Sequence, residues 1–113
     1  MERHPTSLQC EVMSVPVRIE LTPTETLHIH RILSSKIATR VFCLLEGSKS
    51  LNINAIALQC RCSNGNAVKH LKDMVKLGVV KEEWIGGQHI YRYVSNEVAK
   101  FLGCAIRMME EGG

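Results

Sequence analysis

Apolar and polar positions alternate most informatively between Ser63 and Val94. Ala67, Leu71, Met74 and Val75 recur at i, i+4, i+7 and i+8, which is one face of a helix. Ser63, just before them, is a good N-cap, because its hydroxyl can accept from a free backbone N–H of the first turn. Gly78 follows Leu77 and suits the left-handed position that ends helices. Val79 to Ile85 and Gln88 to Val94 then form two extended runs around Gly86-Gly87. In the second run Ile90, Arg92 and Val94 alternate with His89, Tyr91 and Tyr93. Gly-Gly supplies positive φ without steric cost, so the pair predicts a tight hairpin. A lysine-bearing helix thus leads straight into a hairpin, a two-stranded wing on the chain.

The same patterning organises the rest of the chain. Met1 to Gln9 is polar and is expected to be loose. Val15, Val17, Ile19 and Leu21 alternate with Pro16, Arg18 and Glu20, a strand with one buried face. Pro16 restricts that strand to a sheet edge. Residues 1–22 therefore read as a lead-in and 23–113 as the domain proper. The lead-in strand is expected to pack against a second subunit. Thr22-Pro23-Thr24 opens a helix with Leu27, Ile29, Ile32 and Leu33 on its apolar side. Ser34-Ser35 breaks it, one unbroken helix being the alternative. A second helix, about Lys36 to Glu46, carries Ile37, Val41, Phe42, Leu44 and Leu45 and ends at Gly47. Leu51-Asn52-Ile53 is a short strand for the wing sheet. Asn54 caps a third helix with Ile56, Ala57 and Cys60 inward, and Arg61-Cys62 turns the chain into the central helix. Ser95 or Asn96 caps a last helix striped with Val98, Phe101, Leu102, Ala105, Met108 and Met109. A domain this small has little interior left to cover that stripe. The fold class is α+β, mainly α: about five helices with a two- to three-stranded wing sheet.

Composition narrows the function. A chain of 113 residues with 45% hydrophobic and 22% charged residues is a single globular domain. No apolar run approaches the ~20 residues of a membrane span. Met1-Glu2-Arg3-His4-Pro5 is not followed by an apolar core of the secretory kind, so a cytoplasmic address is expected. The net charge of +3 decides little, but its distribution does more. Arg61, Lys69, Lys72, Lys76 and Lys81 face a single acid, Asp73, between residues 61 and 81. A basic patch on one supersecondary unit is the footprint of phosphate contact, although a lysine-bearing helix is often only a solvated face. No glycine-rich phosphate loop, paired carboxylates or nucleophile with a nearby base is evident. The expectation is binding without catalysis, and no cofactor.

Residues in the first turns of a helix lying in the major groove reach base edges. Here these are Asn64, Gly65, Asn66 and Lys69, following the cap Ser63. Asn can pair with adenine and Lys with guanine, while Val68 can sit against a thymine methyl. For Asn64 and Asn66 the plainer reading is helix-start chemistry. Lys72, Lys76 and Arg61 are better placed for phosphates, and His70 is expected to be structural. At the hairpin tip Gln88 is the candidate for the minor groove, with Lys81 and Arg92 on the arms. Trp84 is expected to be packed.

This stretch resembles the winged helix-turn-helix DNA-binding domain, most closely that of ArsR-type bacterial and archaeal repressors. The resemblance is carried by Ser63, Ala67, Lys69-His70-Leu71, Leu77-Gly78-Val79-Val80, Gly86-Gly87 and Tyr91-Arg92-Tyr93-Val94. More loosely it includes Ile32-Leu33-Ser34-Ser35 and Arg40 to Gly47, and in all it covers roughly Thr24 to Met109. It implies a homodimer paired through first and last helices, binding double-stranded DNA as a transcriptional regulator. Packing of the last helix on the chain's own first helix is the monomeric alternative. Wings of this family often carry arginine at the tip, whereas this one places Glu82-Glu83 beside it. The family's metal-sensing thiolates precede the turn, where this chain has Asn52-Ile53-Asn54. The expectation is therefore no metal site. Of the five cysteines, Cys60-x-Cys62 lies in the turn, and a stable site would need further ligands, with His70 and Cys43 as contributors. All five cysteines are expected to be reduced in a cytosolic chain, hyperthermophiles excepted. Two alternatives to the regulator stand beside it: a metal- or redox-responsive repressor using Cys60 and Cys62, and a winged-helix protein-interaction module.

Overall fold

A computed structural model describes residues 6–12 and 15–112. Its elements run β1 (Thr6–Val12), β2 (Val15–Leu21), α1 (Pro23–Leu33), α2 (Lys36–Ser48), β3 (Ser50–Asn52), α3 (Ile53–Cys60), α4 (Asn64–Leu77), β4 (Val80–Ile85), β5 (Gln88–Tyr93) and α5 (Glu97–Gly112).

Side-chain caps set most helix boundaries. Thr22 and Glu25 form a reciprocal box at the start of α1, with Pro23 behind the cap. Ser35 caps α2 by accepting from the Ala38 amide, so α1 and α2 are separate helices. The cap of α3 is Asn52, not Asn54: its Oδ1 accepts from the Ala55 amide at 2.8 Å. The extended end of β3 puts Asn52 in the cap conformation two residues earlier than expected. Helix α2 also passes Gly47 and ends at Lys49, whose φ is 73°. Tyr93 explains how a lysine holds that left-handed position. Its amide donates to the Lys49 carbonyl at 2.7 Å, and its ring lies 4.8 Å beneath the ammonium. Asn96 takes the start of α5, accepting from the Ala99 amide and donating to the Gly78 carbonyl.

Strands β3, β5 and β4 form one antiparallel sheet in that order, with Leu51 opposite Tyr91 and Tyr91 opposite Glu82. Gly86 and Gly87, at φ 57° and 78°, make the primed turn that matches strand twist. One sheet face presents Val80, Tyr91 and Tyr93 to the helices, Tyr91 buried and Tyr93 edge-on to Phe42 at 5.9 Å. Ile32, Val41, Phe42, Leu45, Ile56, Leu71, Met74 and Leu102 complete a single core.

The lead-in differs most from expectation. The strand at Val15–Leu21 pairs with β1 of its own chain, from Thr6 opposite Leu21 to Val12 opposite Val15. Thr6–Val12 is therefore strand rather than loose chain, while residues 1–5 lie outside the described ones. The hairpin packs on α5, and Ile19 and Leu21 enter the common core. Ala99, Phe101, Leu102 and Ile106 are thereby buried without a second subunit, while Met108 and Met109 stay exposed. The stripe on α5 looked uncovered because a lone edge strand cannot cover it, whereas a two-stranded hairpin can.

Candidate nucleic-acid interface

Helix α4 buries Ala67, Leu71, Met74 and Leu77 in the core. Helical spacing then forces Gly65, Lys69, Lys72 and Lys76 onto the opposite, exposed face. Among the described residues none of these lysines is in an ion pair. The helix's own acid is diverted. Asp73 Oδ1 lies 2.7 Å from His28 Nδ1 and 3.7 Å from Arg31 on α1. Both sides of the Asp73–His28 contact are largely buried, so the pair fixes α4 against α1 and removes a negative charge from the basic face.

At the helix start, the Ser63 hydroxyl is engaged as the cap, accepting from the Asn66 amide. Asn64 is exposed and donates to Asn54 Oδ1 at 2.7 Å, tying the beginnings of α3 and α4 together. Asn66 and Val68 are half-buried, and Arg61 is exposed at the left-handed end of α3. His70 Nε2 sits 3.4 Å from Ser35 Oγ, which links α4 to the cap of α2. Burial, reinforced by the neighbouring Lys69 charge, pushes the His70 pKa down, so the ring favours its neutral form.

The wing divides the remaining candidates. Gln88 is exposed beside the tip. Arg92 lies on the sheet face opposite Tyr91, within 3.4 Å of Glu83, and is not brought to the lysine face. On the inner face Glu82 accepts from Tyr91 at 2.9 Å and contacts His89 Nε2 at 2.7 Å. These two hydrogen bonds hold its carboxyl below the usual range, and the charge of nearby Lys72 adds to the effect. Burial and the same carboxylate push the Tyr91 hydroxyl far up.

Trp84 corrects the expectation of a packed ring: it is 70% exposed. It lies on the inner sheet face but beyond the reach of the core, and among the described residues it stacks on the His89 ring, 4.2 Å away and nearly parallel. The pair borders a cleft of about 300 Å³ whose other wall is Asn52 and Asn54 at the start of α3. Sequence patterning missed both Trp84 and the His28–Asp73 contact. The strand register places Trp84 on the same face as Tyr91, and the length of the hairpin beyond the helices leaves Trp84 uncovered.

Cys43, Cys60 and Cys62 are free thiols. Burial, then the neighbouring Cys62, pushes the Cys60 thiol up and disfavours the thiolate a metal would need. Among the described residues no three His, Cys, Asp or Glu side chains are grouped to hold a metal. Cys104 is disulfide-bonded, against the expectation of five reduced thiols. No described helix is long and apolar enough to cross a membrane.

No family model matches the sequence, and no curated protein is significantly similar to it. Solved structures are similar. The AntR antimony-specific transcriptional repressor is 18% identical, with a TM-score of 0.63 over 78% of this chain and 79% of its own. A homodimeric winged helix-turn-helix DNA-binding domain from Mycobacterium bovis, a possible ArsR-family regulator, is 18% identical. It gives a TM-score of 0.64 over 78% of this chain and 81% of its own. The transcriptional repressor BigR from Xylella fastidiosa is 15% identical, with a TM-score of 0.60 over 74% and 85% of the two chains. The likeness establishes the winged helix-turn-helix fold for this chain.

Proposed function

We propose that this chain is a transcriptional regulator that binds double-stranded DNA sequence-specifically as a homodimer. Helix α4 enters the major groove and the hairpin β4–β5 lies at its flank. One observation carries the reading: Lys69, Lys72 and Lys76 stand exposed and unpaired among the described residues, on a helix whose acid is held by α1. A merely solvated helix would gain from pairing Asp73 with its own lysines at i−4 or i+3. Lys69 and Asn64, near the helix start, are assigned to base edges, Lys72, Lys76 and Arg61 to phosphates. Asn66 and Val68 flank the base contacts, and Ser63 sets the helix by its cap. Gln88 is assigned to the minor groove, while Arg92 serves the outer face of the wing.

Known structures of this fold support the assignment: AntR and BigR are repressors, and the Mycobacterium bovis domain is a homodimer that binds DNA. Leu27 on α1 and Met108 and Met109 on α5 are the exposed apolar residues of the first and last helices, where a second copy would dock. The reading involves no catalysis. Titration of a labelled random duplex at graded salt, followed by selection of preferred sequences, tests it. Salt-sensitive binding that enriches one sequence is the expected result; no binding at low salt overturns it.

A further inference from the structure

The tip of the wing is built unlike a phosphate clamp. From Glu82 to His89 there is no lysine or arginine, and the two large residues before the turn, Trp84 and Ile85, are 70% and 49% exposed. The acids beside them are occupied. Glu82 is held by Tyr91 and His89, and Glu83 is paired with Arg92. Both are therefore fixed in place: Arg92 offsets the charge of Glu83, while Glu82 stays ionised within its hydrogen bonds. The same hydrogen bonds brace the indole. Glu82 fixes His89, and His89 stacks under one face of Trp84 at 4.2 Å, leaving the rest of the ring open. The open ring stands across a cleft of about 300 Å³ from Asn54, which is bonded to Asn64 at the first residue of α4. An exposed, braced aromatic side chain therefore sits beside the end of α4 assigned to base reading.

We propose that Trp84 is an apolar wedge that enters the minor groove at a base step, unstacks it in part and bends the duplex. The proposal rests on the DNA-binding reading above and adds a second mode of contact to it. Duplex DNA is the occupant because the cleft bordered by the ring runs to Asn54, which is bonded to Asn64 at the start of the helix that exposes Lys69, Lys72 and Lys76. Wedges of this kind kink DNA by tens of degrees and give sequence preference through deformable steps that no side chain reads.

The chain has a single tryptophan, so its emission reports on this position alone. Emission under tryptophan-selective excitation is followed while duplex is titrated, alongside anisotropy of the labelled duplex. Bending is measured by circular permutation of the selected site. The expected result is quenching that saturates with the anisotropy. Trp84→Ala should lose most of the bend and about tenfold in affinity for each protomer's stack, about a hundredfold in the dimer, and Trp84→Phe should keep much of both. Exposure of the ring predicts that these variants fold normally, which a thermal melt checks. Binding seen by anisotropy with unchanged emission and an unchanged bend in Trp84→Ala overturns the wedge and leaves the DNA-binding reading standing. Absence of duplex binding by any probe overturns both. A shift of emission with protein concentration alone, lost together with self-association in Trp84→Ala, makes the patch a contact between copies and also overturns the wedge.

Discussion

Salt dependence is where the proposed surface commits to a number. Each protomer offers Arg61, Lys72 and Lys76 for phosphates, all exposed and none ion-paired among the described residues. Two copies on one site would neutralise about six phosphates, for a slope of log K against log salt of about −5. Between ~50 and ~200 mM salt that lowers affinity on the order of 10³-fold. A single protomer would show a slope of about −3 and lose only about 40-fold over the same range. Lys72→Ala removes one contact per protomer, so the slope should become shallower by about 2 in the dimer and about 1 in the monomer. The assay is anisotropy of a labelled duplex across a sodium chloride series, with a thermal melt to show that the exposed substitution leaves the fold intact. A slope shallower than about −2, or one that Lys72→Ala does not change, would refute the placement of these cations against phosphate.

Lys69→Ala should cost roughly 1–3 kcal/mol and relax base preference in a selection experiment, whereas Lys76→Ala should weaken all sequences alike. Asp73→Ala leaves His28 largely buried without its partner and should lower stability by about 1–3 kcal/mol in urea denaturation. His70 carries a pH signature, because its pKa is lower in the folded than in the unfolded chain. Below the unfolded value, about 6.5, the unfolded chain takes up a proton that the folded one refuses, so stability falls as pH drops through that window. His70→Gln should remove part of that acid sensitivity, seen as a smaller difference between melts at pH 7 and pH 5; an identical difference in both proteins would refute the assignment.

The elements written in local chemistry were legible in the sequence. Ser63 caps α4 as its hydroxyl predicts, the Thr22-Pro23-Thr24 start and the Ser34-Ser35 break fall where expected, and Gly78, Gly86 and Gly87 take positive φ where the patterning requires turns. The errors fell where a long-range contact overrides local preference. Lys49 ends α2 because a tyrosine more than forty residues later holds it, and Asn52 displaces Asn54 because β3 pairs with β5. The first strand carries its own signal: Leu8, Cys10 and Val12 alternate with Ser7, Gln9 and Glu11, a pattern that the polar run before it hides. At the candidate site, the exposed lysine face followed directly from helical spacing. Which acids compete for it did not, since Asp73 meets His28 across 45 residues of chain.

The lead-in hairpin changes what a dimer must rest on. Had α5 presented its full stripe, apolar burial alone could have driven pairing. With Ala99, Phe101, Leu102 and Ile106 covered by the chain itself, the exposed apolar residues of the first and last helices reduce to Leu27, Met108 and Met109. A stable protein interface buries about 800 Å² on each partner, several times what three half-exposed side chains present. In the proposed reading the remaining drive comes from the duplex, because two adjacent half-sites hold two protomers at high effective concentration. Pairing and DNA binding are then one coupled equilibrium. The salt slope follows the assembled complex, and it separates two protomers from one even where the free protein is mostly monomeric.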